Sequence, residues 1–184
     1  VEPAAVEAPR RSLMPIVLAL AVGLGGFFLL RSRLAPPPTP GIAAGHKADL
    51  SWKVVTPAGA PADLVAYKGR PIFLNVWATW CGPCVQELPS IDRLARDPRV
   101  AGVAFVCISV DADPADARRF LSTRDLKPDF LVAAGSPPPV FATDGIPATF
   151  LIDADGTIVE STIGSAEWDD PKVVDKLAAL AKRQ

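Results

Sequence analysis

The run "PIFLNVWATWCGPCVQELP", Pro71 to Pro89, leaves this chain few folds to choose from. Pro71–Ala78 is mostly apolar, the pattern of a strand covered on both faces in the middle of a sheet. From Cys81 the apolar side chains recur at helical spacing, Val85, Leu88, Ile91 and Leu94, through about Ala95. Pro83 falls in the first turn, where its missing N–H costs little, while Pro89 lies inside and is expected to kink the helix. A buried strand that passes almost directly into a helix, with Cys81 and Cys84 at the junction, calls for a layered α/β protein.

The rest of the chain supplies the other elements. "LSWKVVT" reads as a strand before the turn "PAGAP", and "VAGVAFVCISV" as a second buried strand. "PADARRFLSTRD" reads as a helix opened by Pro114 with acids in its first turn, and "DFLVAA" as a short strand. "ATFLIDADGTIVES" has apolar runs on either side of Asp155-Gly156, a hairpin signal, and "DDPKVVDKLAALAKR" is a closing amphipathic helix. The order β, β, α, β, α, β, β, β, α predicts an α/β sandwich with a mixed central sheet over residues 49–184.

Ahead of this domain the chain is of another kind. Residues 13–30, "LMPIVLALAVGLGGFFLL", carry no charge, and as a helix would span roughly 27 Å, near the thickness of a bilayer core. They read as a transmembrane anchor between a tail at 1–12 and a Pro-rich linker at 31–48. A cleaved signal peptide is the alternative, against which stand the length of the run and the absence of a small-x-small site after it. Arg10 and Arg11 on one side balance Arg31 and Arg33 on the other, so charge does not set the orientation.

Net charge is −1 with no basic block, which excludes nucleic acid as a partner held by counterion release. Three cysteines are too few for a disulfide scaffold, and the pair Cys81/Cys84 stands apart from Cys107. A zinc site would need two more ligands, and only Cys107 and His46, in the linker, are on offer. A permanent bridge over two residues would restrain little. A redox couple remains: Cys81, at the helix N-terminus, gains thiolate character there and is the nucleophile, and Cys84, a turn further in, is the resolving thiol. Pro83 pre-sets the turn between them and Trp80 shields one side. Glu87, three residues after Cys84 on the same helical face, could take the proton Cys84 must lose, or could be a solvated carboxylate. Cys107, Trp52, Phe73 and Trp77 read as core.

"FLNVWATWCGPC" after a buried strand and "GIPATFLIDADG" before a hairpin together resemble the thioredoxin fold, and more narrowly the membrane-anchored TlpA/ResA/CcmG-like thiol:disulfide oxidoreductases. "CGPCVQELP" is similar to their CxPCxxExP pattern, and "GSAEWDD" to a C-terminal segment of theirs. The resemblance implies a thioredoxin-like fold with an α/β insertion near 114–133. It implies catalytic Cys81, Cys84 and Glu87, and a cis-proline, Pro147 after Ile146, facing the redox pair. With Trp80, Gly82 and Pro83 these two residues would bind substrate. Asn75 departs from thioredoxin's buried aspartate and cannot carry its proton. The lack of a histidine in the domain argues against the copper-delivering branch.

The function implied is a single-pass protein of the inner membrane with its domain outside the cytoplasm, reducing disulfides of client proteins such as apocytochromes c or copper-site proteins. Gly82-Pro83 is thioredoxin's own dipeptide, which favours the reducing direction. A transmembrane thiol carrier is the implied electron donor, and no cofactor or metal is expected. A non-enzymatic metal carrier and a peroxiredoxin-like peroxidase are the alternatives. The peroxidase lacks its threonine, since Ala78 stands three residues before Cys81.

Overall fold

Strand Ile72–Trp77 is buried at every position, and the rest of the fold is arranged on its two faces. The computed structural model describes residues 39–40 and 43–183, with side chains from 43 onward. The tail 1–12 and the anchor reading at 13–30 lie outside the described residues. Among the described residues no helix is long and apolar enough to cross a membrane.

Among the described residues eight strands form one sheet: β1 Thr39–Pro40, β2 Val54–Val55, β3 Pro61–Ala62, β4 Ile72–Trp77, β5 Ala104–Ser109, β6 Asp129–Ala133, β7 Ala148–Ile152 and β8 Ile158–Ile163. Their order is β1-β8-β7-β4-β5-β6-β2-β3. β4, β5 and β6 run parallel, and β7 joins β4 antiparallel, so the sheet is mixed as expected. The helices are α1 Gly82–Arg96, α2 Pro114–Leu121 and α3 Pro171–Ala181.

The alternation of β4 sorts its side chains between two cores. Phe73 and Trp77 pack with Leu88, Ile91 and Leu94 of α1 and Val174, Leu177 and Leu180 of α3. Ile72, Leu74 and Val76 pack on the other face with Trp52, Leu64, Phe141 and Phe150. Asn75 lies on the α1 face, two positions from Phe73 and Trp77, and is fully buried. Each of the large aromatics fully withdrawn from water adds about 2–3 kcal/mol of burial energy. Phe120 of α2 and Phe130 of β6 close around Trp77, ring centroids 5.2 and 5.7 Å away, and tie the insertion to the central strand.

Four expectations change. The strand read at "LSWKVVT" shrinks to Val54–Val55, and Trp52 before it turns its indole inward to donate to Gly135 O at 3.1 Å. "PAGAP" does turn the chain, with Gly59 at φ +87°, but its last residue already belongs to β3, which pairs back on β2. The expected linker is not free where it is described, at 39–40 and 43–48: Thr39 and Pro40 pair with Ile163 and Thr162, and Ile158 N–H donates to His46 O at 2.9 Å. α2 ends at Leu121, where Ser122 Oγ donates to Arg119 O at 2.8 Å in place of another helical turn. Helix α1, by contrast, runs through Pro89 to Arg96.

Candidate active site

Cys81 is the N-cap of α1. Its backbone is extended, its sulfur accepts the Cys84 N–H at 3.3 Å, and the two cysteines form a disulfide. In the reduced protein that N–H and the helix end would face a sulfur anion, which is the cause of thiolate character at such a position. Cys84 has no exposed surface, whereas Cys81 keeps 6% of its own and follows Trp80, which is 69% exposed. Trp80 therefore offers most of its ring to solvent at the rim of the disulfide.

The Ile146–Pro147 peptide is cis, as the resemblance implied, and stands directly before β7. Cys81 Sγ is 3.7 Å from Ile146 O, a distance at which the reduced thiol could donate. Pro147 O is taken by Gly164 N–H at 2.8 Å, so the hairpin β7–β8 fixes this segment from behind. Gly82 and Pro83 open α1 and are exposed beside the disulfide.

The loop between β4 and Cys81 is held by a buried carboxylate. Asp111 Oδ1 and Oδ2 accept the Thr79 N–H at 3.2 and 3.1 Å, and Oδ1 also accepts the Thr79 hydroxyl at 2.8 Å. Ser109, at the end of β5, donates its hydroxyl to Oδ2 at 2.5 Å.

Behind the disulfide lies a second polar group. Glu87, one turn after Cys84 on α1, is 1% exposed, so it is not a solvated helix carboxylate. Its Oε1 accepts from Asn75 Nδ2 at 2.8 Å, and its Oε2 from Ala166 N at 3.1 Å and Trp168 Nε1 at 3.0 Å. Burial pushes its pKa up to about 7, more than the bonds from Trp168, Ala166 and Asn75 pull it down. A carboxyl group poised there can both accept and release a proton at neutral pH. Asn75 Nδ2 also donates to Thr149 Oγ1 of β7 at 2.9 Å.

Cys81, Cys84, Gly82, Pro83, Ile146 and Pro147 thus come together at one end of the sheet, with Trp80 at the rim and Glu87 inside. Cys107 is fully buried, and burial holds its thiol well above the usual range, with the charge of Glu87 adding to the effect. His46 pairs with the hairpin strand through its backbone, and its ring Nδ1 lies 3.3 Å from Ala43 O. Among the described residues no group of three His, Cys, Asp or Glu side chains is placed to hold a metal ion. Thr149, Ala166, Trp168 and the Thr79–Asp111–Ser109 cluster were not singled out as site residues from the sequence. Trp168 carried one signal, its place in "GSAEWDD"; for the others the contacts are between distant segments and leave no local pattern.

The redoxin family model matches residues 43–177. Among curated proteins the chain is similar to the thiol-disulfide oxidoreductase ResA of Bacillus cereus, 32% identical over 152 residues, 81% of this chain and 85% of that one. It is also similar to the thiol:disulfide interchange protein DsbE of Vibrio cholerae, 32% identical over 130 residues, 66% of this chain and 67% of that one. Among solved structures, a secreted disulfide oxidoreductase of Mycobacterium tuberculosis homologous to E. coli DsbE superposes with TM-score 0.55 at 28% identity, over 74% of this chain and 100% of that one. A thiol:disulfide interchange protein of Chlorobium tepidum, of the thioredoxin family, shares the fold at 24% identity, TM-score 0.58, over 78% of this chain and 95% of that one.

Proposed function

This chain belongs to the redoxin family, as a ResA/DsbE-like thiol-disulfide oxidoreductase of the thioredoxin superfamily, and from that premise we propose that it is a membrane-tethered reductase of disulfides in client proteins outside the cytoplasm. The observation that carries the reading is the placement of Cys81: N-cap of α1, disulfide-bonded to the deeper Cys84, and 3.7 Å from the carbonyl before the cis-proline.

In the reaction, the Cys81 thiolate attacks one sulfur of a client disulfide. A Cys81–client bond forms, the client bond breaks, and its other sulfur leaves as a thiolate that takes up a proton. Trp80, Gly82, Pro83, Ile146 and Pro147 line the approach and hold the client segment. Cys84 then gives its proton to Glu87 and attacks Cys81 Sγ, forming the Cys81–Cys84 bond as the second client sulfur departs. Two electrons have passed to the client. Reducing equivalents return through a transmembrane thiol donor, and the segment at 13–30 anchors the protein in the inner membrane beside it.

The Gly82-Pro83 dipeptide supports the reducing direction, as does the absence of a basic side chain from the first turn of α1, where a cation would stabilise the thiolate. Apocytochromes c before haem attachment, or copper-site proteins, are clients that need such electrons. Equilibration of Cys81–Cys84 with redox buffers tests the direction: a potential near that of thioredoxin, about −270 mV, is expected, and one near the strong oxidants, about −120 mV, would reverse it. A reporter fused after Gln184 tests the topology.

A further inference from the structure

Asn75 is fully buried, yet its amide is only half used. Nδ2 donates to Glu87 Oε1 and to Thr149 Oγ1, while Oδ1 has no hydrogen-bond partner among the described residues. The side chains and backbone around Glu87 share one property: Asn75 Nδ2, Ala166 N and Trp168 Nε1 are all donors. Such a shell fits a carboxylate. Among these contacts there is no acceptor for the O–H of a neutral carboxyl group, and a hydroxyl on Oε1 would meet an N–H head on, an arrangement costly for a group this deeply buried. The reading of Glu87 as the group that takes the Cys84 proton requires both states.

One rotation resolves the conflict at Glu87, at the cost of turning the amide N–H groups to the place where Oδ1 now stands without a partner. Turned over about its terminal torsion, the Asn75 amide keeps its shape and volume and exchanges Nδ2 for Oδ1 between Glu87 and Thr149. There Oδ1 can accept the Glu87 O–H and, on its second lone pair, the Thr149 hydroxyl. Ala166 and Trp168 have no such freedom, because a backbone N–H and an indole N–H only donate. We propose that Asn75 is a positioning residue whose amide turns over when Glu87 gains or loses its proton, donating to the carboxylate and accepting from the carboxyl. The proposal rests on the assignment of Glu87 as the proton acceptor.

In the resolving step the proton leaves Cys84 Sγ and arrives on Glu87, Cys84 Sγ attacks Cys81 Sγ, and Asn75 turns; Asn75 itself carries no proton. The titratable groups facing Glu87 are few. Cys84 is on its own helix, and in the oxidised protein it is disulfide-bonded and does not titrate. Cys107, beside Asn75 on β5, is held as a thiol by burial, and Glu167, next to Trp168, points its carboxylate to solvent. In the oxidised protein a titration behind the disulfide near neutral pH is therefore that of Glu87.

The test uses the oxidised full chain labelled with carbon-13 and nitrogen-15. The Glu87 carboxyl resonance and the Asn75 side-chain amide are followed from about pH 5 to about pH 9, across the range that separates the two forms. At high pH the Asn75 amide protons should show contacts to Thr149; at low pH those contacts should vanish, with the same midpoint as the Glu87 carboxyl. A Glu87 resonance that titrates while the Asn75 contacts stay unchanged overturns the amide's role alone. A Glu87 resonance that does not titrate overturns the Glu87 assignment, and this inference with it. Kinetically, Asn75→Leu should slow the resolving step at least about tenfold, part of the roughly hundredfold or more that positioned proton transfer supplies, and flatten its pH profile, while mixed-disulfide formation stays within about twofold. If both steps slow equally, with the pH profile unchanged, Asn75 is a packing residue and the proposal fails.

Discussion

Trp168 Nε1 donates to Glu87 Oε2 at 3.0 Å, joining the helix that carries the redox pair to the segment before α3. The same indole packs edge-on against Phe73, ring centroids 5.1 Å apart, so its packing and its hydrogen bond can be separated by substitution. Trp168→Phe keeps much of the ring contact and removes a donor that binds the ionised carboxylate more strongly than the neutral carboxyl. It should raise the Glu87 titration midpoint above that of the wild type. It should also destabilise the protein by about 2 kcal/mol at pH values where Glu87 is charged, and by less where it is neutral. Urea unfolding at about pH 5 and about pH 8 reads the difference; an equal loss at both would show that only packing was removed.

The folded pKa of Glu87, about 7, lies above the 4.5 of an unperturbed glutamate, and the sign of the linkage follows. The unfolded chain releases this proton first as pH rises, so the stability that Glu87 contributes is full below about pH 4.5 and is lost as pH climbs through about 7. A shift of this size corresponds to about 3 kcal/mol. Glu87→Gln cannot ionise. The stability of the wild type relative to this variant should therefore fall by about that amount between about pH 4.5 and pH 8, measured by urea unfolding of the two oxidised proteins. A difference that is flat in pH, or that grows, would contradict the raised pKa.

The difference between what the sequence foretold and what it left out is a difference of range. Cys81, Cys84 and Pro83 sit within four residues, and their capping geometry follows from the order strand, cysteine, glycine, proline, helix, which is local chemistry. The same holds for β4, whose unbroken apolar run requires cover on both faces. In the sequence Asn75 reads as a missing acid and Glu87 as its candidate replacement. Their contact at 2.8 Å depends on how α1 lies on β4, which no periodicity states. Asp111 was less visible still, for an aspartate after a strand ordinarily ends it, and only the return of Thr79 from another strand end makes it a buried acceptor. At the other edge, the prolines of residues 36–40 favoured an extended spacer, and an extended backbone is also what an edge strand needs, so the pairing of Thr39 with Ile163 had no separate signal.

Asp111 is 4% exposed and accepts from Thr79 and Ser109 without a basic partner among these contacts, so its worth lies in the donors it satisfies. Asp111→Ala would leave the Thr79 N–H, the Thr79 hydroxyl and the Ser109 hydroxyl short of an acceptor, and a loss of about 3 kcal/mol is expected. Thr79→Val removes the hydroxyl alone and should cost about 1 kcal/mol. The double variant should lose less than the two losses added together, since one bond is counted in both. Strict additivity in a thermal or urea unfolding cycle would mean that Asp111 does not hold the loop through Thr79.

Burial separates the three cysteines by reactivity. Cys81 sits at the helix end beside exposed Trp80, where the Cys84 N–H stabilises its thiolate, whereas Cys84 and Cys107 have no exposed surface. Desolvation, the largest effect on Cys107, keeps it protonated, and the charges of Glu87 and Asp129 act in the same direction. In the reduced native protein iodoacetamide should therefore modify Cys81 at least about a hundredfold faster than Cys84, and should reach Cys107 only as the protein unfolds. Mass mapping of the modified peptides over time checks the order. It also checks the division of labour, because Cys84→Ser should trap a mixed disulfide on Cys81 that accumulates at the wild-type rate, whereas Cys81→Ser should trap almost none. Faster labelling of Cys84 than of Cys81 would exchange the attacking and resolving roles and remove the reason for placing an acid–base group one turn behind Cys84.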